Sequence, residues 1–211
     1  MSHLSSAVPR SARRPRPLSR AVLRPHLKRA LDVAGAALLL VLISPAFIVT
    51  CLLIRAGGGV AFLAERRVGR AGREFEYLKF RAPECGAGDG RSLGKPERRL
   101  TRLGRVLRWT AIDEIPQLLN VLRGDMSLVG PRPVTREELA RSYTLFGGEE
   151  AYLSVRPGLI GPCEVCGRPD LGTGERVALT TAYVRHPSLR TDIVILLRSL
   201  GIVLRGDPGS C

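Results

Sequence analysis

The chain has 211 residues, which is enough for one domain with a buried core and too few for two full-sized domains. Hydrophobic residues make up 45% of it, which argues against a largely disordered protein, and five cysteines at this length argue against a secreted disulfide scaffold. The formal net charge is +14, and only three of the 33 basic residues are lysines. Because the planar fork of arginine suits phosphates and anionic head groups, the expected partners are a membrane surface, a phosphorylated substrate or a nucleic acid.

The first 29 residues carry eight basic side chains, four prolines and no acidic residue. Such a segment cannot bury enough apolar surface to fold by itself. Residues 1–29 are therefore predicted to be a disordered basic tail on the cytoplasmic side of a membrane. An arm that binds nucleic acid is the alternative interpretation of the same charge.

Residues 33–54 form an uncharged apolar run of 22 residues, long enough for a helix to cross the hydrocarbon core. Basic residues lie on both sides of the run and mark the cytoplasmic side, so a crossing helix would leave one basic flank outside. Ser44 and Pro45 at its middle predict a kink, where the Ser44 hydroxyl serves a freed backbone group. We expect a re-entrant membrane helix over residues 30–55; a spanning helix and a soluble core helix are the alternatives.

Asp32 opens the apolar run and is costly in lipid unless it is paired. Lys28 and Arg29 lie one helical turn before it, within reach of its carboxylate. The membrane hairpin is thus expected to depend on five residues: Lys28, Arg29, Asp32, Ser44 and Pro45.

Residues 56–211 are predicted to be one domain at the membrane interface, which makes the protein α+β, mostly helical with a small β-hairpin. Strand-like residues 61–68 and 74–80 flank a glycine-bearing turn, and the glycines and prolines of residues 82–99 indicate a mobile loop. Apolar residues at helical spacing predict amphipathic helices that suit an interface, although the last of them is more typical of a helix that closes the core. These helices fall in residues 101–122, with a new start near 112–114, and in residues 136–146 and 192–204.

Asp113 and Glu114 stand at that new helix start. Aspartate is a frequent N-cap, so a purely structural role is the alternative. The positive end of a helix keeps carboxylates ionised and favours bound phosphate, and carboxylates hold Mg²⁺ together with substrate phosphates. Four arginines nearby in sequence would balance phosphate charge: Arg102, Arg105, Arg108 and Arg132. The pattern indicates phosphoryl transfer, with one carboxylate as a nucleophile and one as a metal ligand.

Residues 109–122 (WTAIDEIPQLLNVL) and 124–133 (GDMSLVGPRP) resemble the signature of the bacterial sugar transferase family, the monotopic polyprenyl-phosphate phosphoglycosyl transferases. Further matches follow in family order, and the resemblance covers residues 27–205. They include Lys28-Arg29 with Asp32, Ser44-Pro45, Arg67-Val68-Gly69, Lys79-Phe80-Arg81, Arg156-Pro157-Gly158 and Gly167-Arg168.

The resemblance implies transfer of sugar 1-phosphate from a UDP-sugar to undecaprenyl phosphate with release of UMP, the first membrane step of polysaccharide or glycan synthesis. It implies that Asp113 is the nucleophile of a phosphosugar-aspartyl intermediate and that Glu114 helps to hold Mg²⁺. It places the site at the cytoplasmic face of the bacterial inner membrane, under a re-entrant helix. No nucleic acid takes part, and the oligomeric state is left open, with a homo-oligomer among the expectations.

Supporting roles follow residue by residue from the same resemblance. Four basic residues are expected at the phosphates or the lipid head group: Lys79, Arg81, Arg108 and Arg132. Three residues are candidates for the nucleotide-sugar site: Arg156, Glu164 and Arg168. A solvated strand face for the first pair and a structural ion pair for Arg132 are the alternatives.

The sequence departs from the family pattern at several positions, which leaves the donor sugar open: Val60, Glu65, Ala82, Pro83, Ala111, Glu164 and Thr180. These departures motivate an alternative function as an inactive, membrane-attached scaffold of the same family. A nucleic-acid-binding protein is a weaker alternative, because aromatic residues are few and no reader motif occurs. Cys163 and Cys166 form a C-x-x-C without a second pair, so unpaired thiols are expected rather than a zinc site.

Overall fold

The computed structural model describes residues 25–81, 101–167 and 171–205. The predicted tail up to residue 24, the predicted loop 82–99 and Arg168 lie outside these ranges, as does the side chain of Arg108. Within them the protein is mostly helical, with two small two-stranded sheets and one long apolar helix near the N-terminus. The coarse prediction of an α+β, mostly helical fold is confirmed.

The long apolar helix α1 spans Pro25–Ala56. It begins five residues before the predicted start, and of the described helices it alone is long and apolar enough to cross a membrane. Pro45 has no N–H to donate to the carbonyl of Val41, four residues back. The Ser44 hydroxyl donates to that same oxygen at 2.7 Å, so the predicted rescue of a freed backbone group is confirmed.

Both ends of α1 pack against the rest of the protein. In the N-terminal half Ala36 is fully buried, and in the C-terminal half Ile54 is 2% exposed. The ring of Phe47 lies 5.0 Å from that of Phe80 and 5.9 Å from that of Phe62. Between these contacts the helix presents large apolar side chains to the surroundings, among them Leu38, Val41 and Leu42.

Strands β1 (Phe62–Val68) and β2 (Glu74–Phe80) form the predicted antiparallel hairpin. The register runs from Phe62 opposite Phe80 to Val68 opposite Glu74, and a 3₁₀ turn at Arg70–Gly72 joins the strands. Because directly opposed residues point to the same face of a sheet, this register fixes which side chains of β1 and β2 lie together.

The segment predicted as helix over residues 101–122 divides into three elements. These are α2 (Arg102–Trp109), a 3₁₀ turn (Ile112–Glu114) and α3 (Gln117–Arg123). An α-helix through the turn would need an N–H from Pro116 to bond the carbonyl of Ile112, and proline has none. The N–H of Ile115 takes that carbonyl at 3.1 Å instead, and α3 begins after the proline. Gly124, with φ of 100°, ends α3 as expected.

A second, parallel sheet was not predicted. It pairs β3 (Ser127–Val129) with β4 (Gly158–Ile160), and around it lies a core that includes Val121, Met126 and Val184. The remaining helices follow in chain order: α4 (Arg136–Glu138), continued by a π-helical segment (Leu139–Thr144), α5 (Glu149–Ser154), α6 (Thr173–Arg185) and α7 (Leu189–Arg205).

The last helix, α7, was predicted either to close the core or to lie on the membrane. Asp192 and Ile195 are buried against the body, which confirms that the helix helps to close the core. Ile193, Leu197 and Leu200 are about half exposed or more, so an apolar face also remains open.

Gly158 gives a direct test of the β3–β4 pair. A methyl group added there would collide with the backbone of Gly130, so we expect Gly158→Ala to destabilise the protein by about 1–3 kcal/mol, the usual range for overpacking. Gly201 in α7 has open space around its Cα, and Gly201→Ala should stabilise it by about 0.5–1 kcal/mol through helix propensity. Thermal unfolding of both variants in detergent measures the difference; equal effects would contradict the close approach.

Candidate active site

A strained residue sets the position of Asp113 and Glu114. Ala111 adopts the left-handed conformation, with φ of 53°, which turns the chain out of α2. The N–H of Glu114 then donates to the carbonyl of Ala111 at 3.1 Å, closing the 3₁₀ turn. Both carboxylates therefore lie on this turn, partly exposed, rather than on the first turn of an α-helix as predicted.

Strand β2 brings a cation and an aromatic ring to the side of Glu114. Lys79 Nζ lies 3.9 Å from Glu114 Oε1 and 5.2 Å from the centre of the Tyr77 ring. The guanidinium of Arg67, on β1, lies 5.5 Å from the centre of the same ring. Tyr77 and Lys79 are two residues apart and so share a face of β2, opposite Glu65 and Leu63.

Tyr77 is 4% exposed, and sequence reasoning missed it. Burial raises the pKa of its phenol well above the ordinary value, and the negative charge of Glu114 raises it further. The positive charges of Arg132 and Arg67 act in the opposite direction on the same pKa. The phenol therefore stays neutral at physiological pH, within the electrostatic reach of Glu114, Arg132 and Arg67. Alternation along β2 was the signal that could have found it.

A cavity of about 310 Å³ adjoins this group. Arg67 and Arg132 line it, so it shares two arginines with the surroundings of Tyr77. Its other walls come from the segment after β3, from α4 and the π-helical segment, from the segment after β4, and from α6. They include two predicted positions of interest, Glu164 and Thr180, together with Tyr143, Cys163 and Arg176.

The remaining candidates lie elsewhere. Arg81 is exposed just after β2, and its backbone N–H donates to Ala61. Arg156 Nε donates to the carbonyl of Gly124 at 2.8 Å, and burial followed by the charge of Arg29 lowers its pKa. The structure thus places Arg156 at the end of α3 and not on the wall of the cavity.

Three of the five residues predicted for the membrane hairpin, Lys28, Arg29 and Asp32, hold α1 to the body. Arg29 donates to the carbonyls of Val121 and Leu122, at 2.7 and 3.0 Å, and so caps α3. Lys28 lies 4.0 Å from Asp32, the predicted pair, but its shorter contact is 2.6 Å to Asp192 of α7. This second partner was not foreseen, because 164 residues separate it from Lys28.

Asp113 and Glu114 supply two carboxylates that could bind a metal ion. Among residues 25–81, 101–167 and 171–205 there is no group of three or more His, Cys, Asp or Glu side chains arranged to hold a metal. Mg²⁺ commonly takes one or two carboxylates and completes its shell with substrate phosphates and water, which suits Asp113 and Glu114. Cys163 and Cys166 form no disulfide; the Cys166 sulfur donates to the carbonyl of Cys163 at 3.0 Å, and burial raises the pKa of Cys163 to about 11.

The family model described as "Bacterial sugar transferase" matches residues 23–206. The chain belongs to the bacterial sugar transferase family. A "UDP-galactose-lipid carrier transferase" of Erwinia amylovora is 38% identical to it over 86% of this chain and 41% of the relative. The chain spans about two fifths of the length of that relative.

Two further relatives are covered over more of their length. The "Exopolysaccharide production protein ExoY" of Rhizobium meliloti is 38% identical over 83% of this chain and 84% of its own length. The "UDP-glucose:undecaprenyl-phosphate glucose-1-phosphate transferase" of Caulobacter vibrioides is 40% identical over 85% of this chain and 70% of its own. The family resemblance found in the sequence is confirmed.

Ala111 allows the strain in this sugar transferase to be measured. Replacing it with glycine removes the penalty of a left-handed Cβ, so Ala111→Gly should raise the free energy of unfolding by about 1 kcal/mol. Ala182→Gly, in the exposed interior of α6, should lower it by about the same amount. Denaturant unfolding compares the two; a loss of stability in Ala111→Gly would contradict the left-handed turn.

Proposed function

We propose that the protein transfers sugar 1-phosphate from a UDP-sugar to undecaprenyl phosphate and releases UMP, at the start of polysaccharide or glycan synthesis. The observation that carries the proposal is the adjacent pair Asp113 and Glu114 with Lys79 at 3.9 Å, next to a cavity lined by Arg67 and Arg132. Carboxylates beside basic groups suit the phosphates of a nucleotide sugar. The names of the relatives, which include lipid-carrier and undecaprenyl-phosphate sugar transferases, agree with it.

In the first step a carboxylate oxygen of Asp113 attacks the phosphorus that bears the sugar. A P–O bond to Asp113 forms, the P–O bond to the UMP moiety breaks, and UMP leaves with the electron pair. In the second step a phosphate oxygen of undecaprenyl phosphate attacks the same phosphorus and releases the Asp113 carboxylate. Covalent capture divides a difficult transfer into two displacements and gives ping-pong kinetics.

The basic side chains act on charge that develops at phosphorus. Lys79 and Arg132 would neutralise phosphate oxygens, which are the groups that gain charge in phosphoryl transfer. Glu114, with Asp113 beside it, would hold Mg²⁺ through its carboxylate, and the ion when bound supplies Lewis-acid stabilisation of the same oxygens. Tyr77, which stays neutral, leaves the carboxylates as the anionic groups near Lys79.

We further propose that α1 enters the inner membrane from the cytoplasm, bends at Ser44-Pro45 and returns. A straight helix of 32 residues would be about 48 Å long, yet both of its ends contact the same body. The exposed apolar middle of α1 suits lipid, and its charged N-terminal residues suit the cytoplasmic side. Exposed apolar residues on α2 and α7, such as Trp109 and Leu197, suit the interface beside it.

The activity is tested by UMP release from a panel of UDP-sugars with undecaprenyl phosphate and Mg²⁺. Wild type should release UMP with at least one donor, and Asp113→Asn should lower kcat by at least about a thousandfold, because an amide is a poor nucleophile. Without the acceptor, intact-mass spectrometry should show a phosphosugar adduct on wild type and none on Asp113→Asn.

Asp125→Asn is the matched control for that substitution. Asp125 follows α3 and accepts a hydrogen bond from Asn120, which an amide oxygen can also accept, so activity should be kept. A fully active Asp113→Asn variant would exclude the nucleophile. A folded wild type that is silent with every donor would favour the inactive scaffold.

The topology is tested by labelling cysteines introduced at positions 10 and 70, one at a time, in a chain whose five native cysteines are replaced. A re-entrant α1 puts both positions in the cytoplasm, so a membrane-impermeant maleimide should label neither in intact cells and both after permeabilisation. Labelling of position 10 alone in intact cells would show that α1 spans the membrane.

A further inference from the structure

The cavity beside the catalytic pair has two chemically different walls. One wall carries Arg67 and Arg132, whose positive charges act on Tyr77, together with Glu138, the ion-pair partner of Arg67. The other carries hydroxyl, thiol and carboxyl side chains, together with the basic Arg176 of α6. A charged phosphate and a neutral polyhydroxy group would each find a matching wall.

The second wall is a connected set of polar side chains. The hydroxyls of Tyr143 and Thr180 lie 3.3 Å apart, and the Cys163 sulfur lies 3.9 Å from the Thr180 hydroxyl. Thr180 is 2% exposed and Tyr143 is 7% exposed, so their hydrogen bonds are shielded from water. A hydroxyl shielded from water distinguishes ligands strongly, because a ligand that lacks the matching polar group leaves that hydroxyl without a hydrogen bond.

Two polar groups of the lining have no partner in the described part of the chain. These are Oε2 of Glu164, which is buried near Gly161, and Nε of Arg67. Buried polar atoms are normally hydrogen-bonded, and an unpaired one calls for an explanation such as a ligand. Both residues lie on the cavity, one on each wall.

The volume limits what the cavity takes. About 310 Å³ is at the small end of ligand sites, so it holds one ring of a nucleotide sugar rather than the whole molecule. The lining offers hydroxyls, two carboxylates and three arginines, and the one aromatic ring among its described residues, Tyr143, has its centre 4.7 Å from that of Tyr152. Many hydrogen-bonding groups and no open stacking face suit a sugar ring better than a nucleobase.

The geometry points to this cavity as the site of the donor's sugar ring, with Glu164 and Thr180 as the residues that select among sugars. The inference rests on the proposed function and deepens it. The sugar-bearing phosphate then lies at Arg67 and Arg132, toward the catalytic pair, and the ring hydroxyls meet the Glu164 and Thr180 wall. Both residues are also departures from the family pattern.

The test measures binding without turnover, in the full-length Asp113→Asn protein in detergent. Calorimetry measures its dissociation constants for UDP-glucose, UDP-galactose, their N-acetylamino counterparts and UMP. The same constants are then measured after a second substitution, either Thr180→Val or Glu164→Gln. Each second substitution should change the ratio of constants between sugars by about three- to tenfold, the worth of one neutral hydrogen bond, and leave UMP within twofold. Thr180→Ser keeps the hydroxyl and should restore the original ratio.

Matched controls come from the same chain. Thr181→Val changes the next residue of α6, and Glu137→Gln changes an exposed glutamate of α4; neither residue lines the cavity, and both variants should keep every ratio. Unchanged ratios in Thr180→Val and Glu164→Gln would overturn the inference. Equal weakening of UMP and all donors would overturn it too, because the nucleoside would then occupy the cavity.

The same proteins separate this inference from the proposed function. Changed ratios would support the sugar site even if protein with Asp113 intact released no UMP, and that silence would contradict the transferase activity alone. UMP release with unchanged ratios would support the activity and contradict the sugar site.

Discussion

The carboxylate of Asp32 is the link on which the placement of the apolar helix depends. It is 6% exposed and accepts hydrogen bonds from the Ser127 hydroxyl at 2.9 Å and the Leu128 N–H at 3.1 Å. Lys28 lies between this carboxylate and that of Asp192, whose other oxygen accepts from the Tyr183 hydroxyl at 2.7 Å. Removing one member of such a buried charged network leaves the others unpaired, which costs about 3–5 kcal/mol. One polar cluster thereby joins α1, β3 and α7.

Helix α3 links this polar cluster to Asp113 and Glu114. Arg29 caps the C-terminal end of α3, and Asn120, fully buried within it, bonds the backbone of β2. The Asn120 amide donates to the carbonyl of Glu76 at 2.6 Å, and its oxygen accepts from the N–H of Leu78 at 3.1 Å. Lys79 lies on β2, and Asp113 and Glu114 lie directly before α3. The bonds of Asn120 between α3 and β2 therefore fix the separation of Lys79 and Glu114. The apolar helix α1 and the proposed catalytic pair therefore share one support.

Features set by local pattern could be predicted from the sequence. The alternation of β1 and β2, the glycine-bearing turn and the apolar run of α1 each follow from neighbouring residues. The early start of α1 at Pro25 could not, because its first turns depend on contacts of Lys28 and Arg29 with residues about 90 to 165 positions away.

The parallel pairing of β3 with β4 and the cavity could not be predicted from the sequence either. Strands of three residues carry almost no local signal, and β3 meets β4 because Gly130 and Gly158 let two distant backbones touch. The residues that line the cavity come from segments between positions 67 and 180, so no local sequence pattern predicts it. Glu164 and Thr180 stood out in the sequence as departures, but only the fold brings them to one wall.

The arginines have different structural roles, which explains why the net charge of the chain did not indicate where the site lies. Arg29 and Arg156 bond backbone carbonyls around the end of α3, and Arg136 pairs with Glu74 at 2.8 Å on the surface. Arg67 pairs with Glu65 and Glu138, and its Nε has no partner among the residues that the structure describes. Because two carboxylates hold its terminal nitrogens, the guanidinium is fixed in direction, and its Nε–H is the donor that remains for a ligand. For the proposed phosphate site, what marks out Arg67 is the donor that the fold leaves open, and composition does not record that.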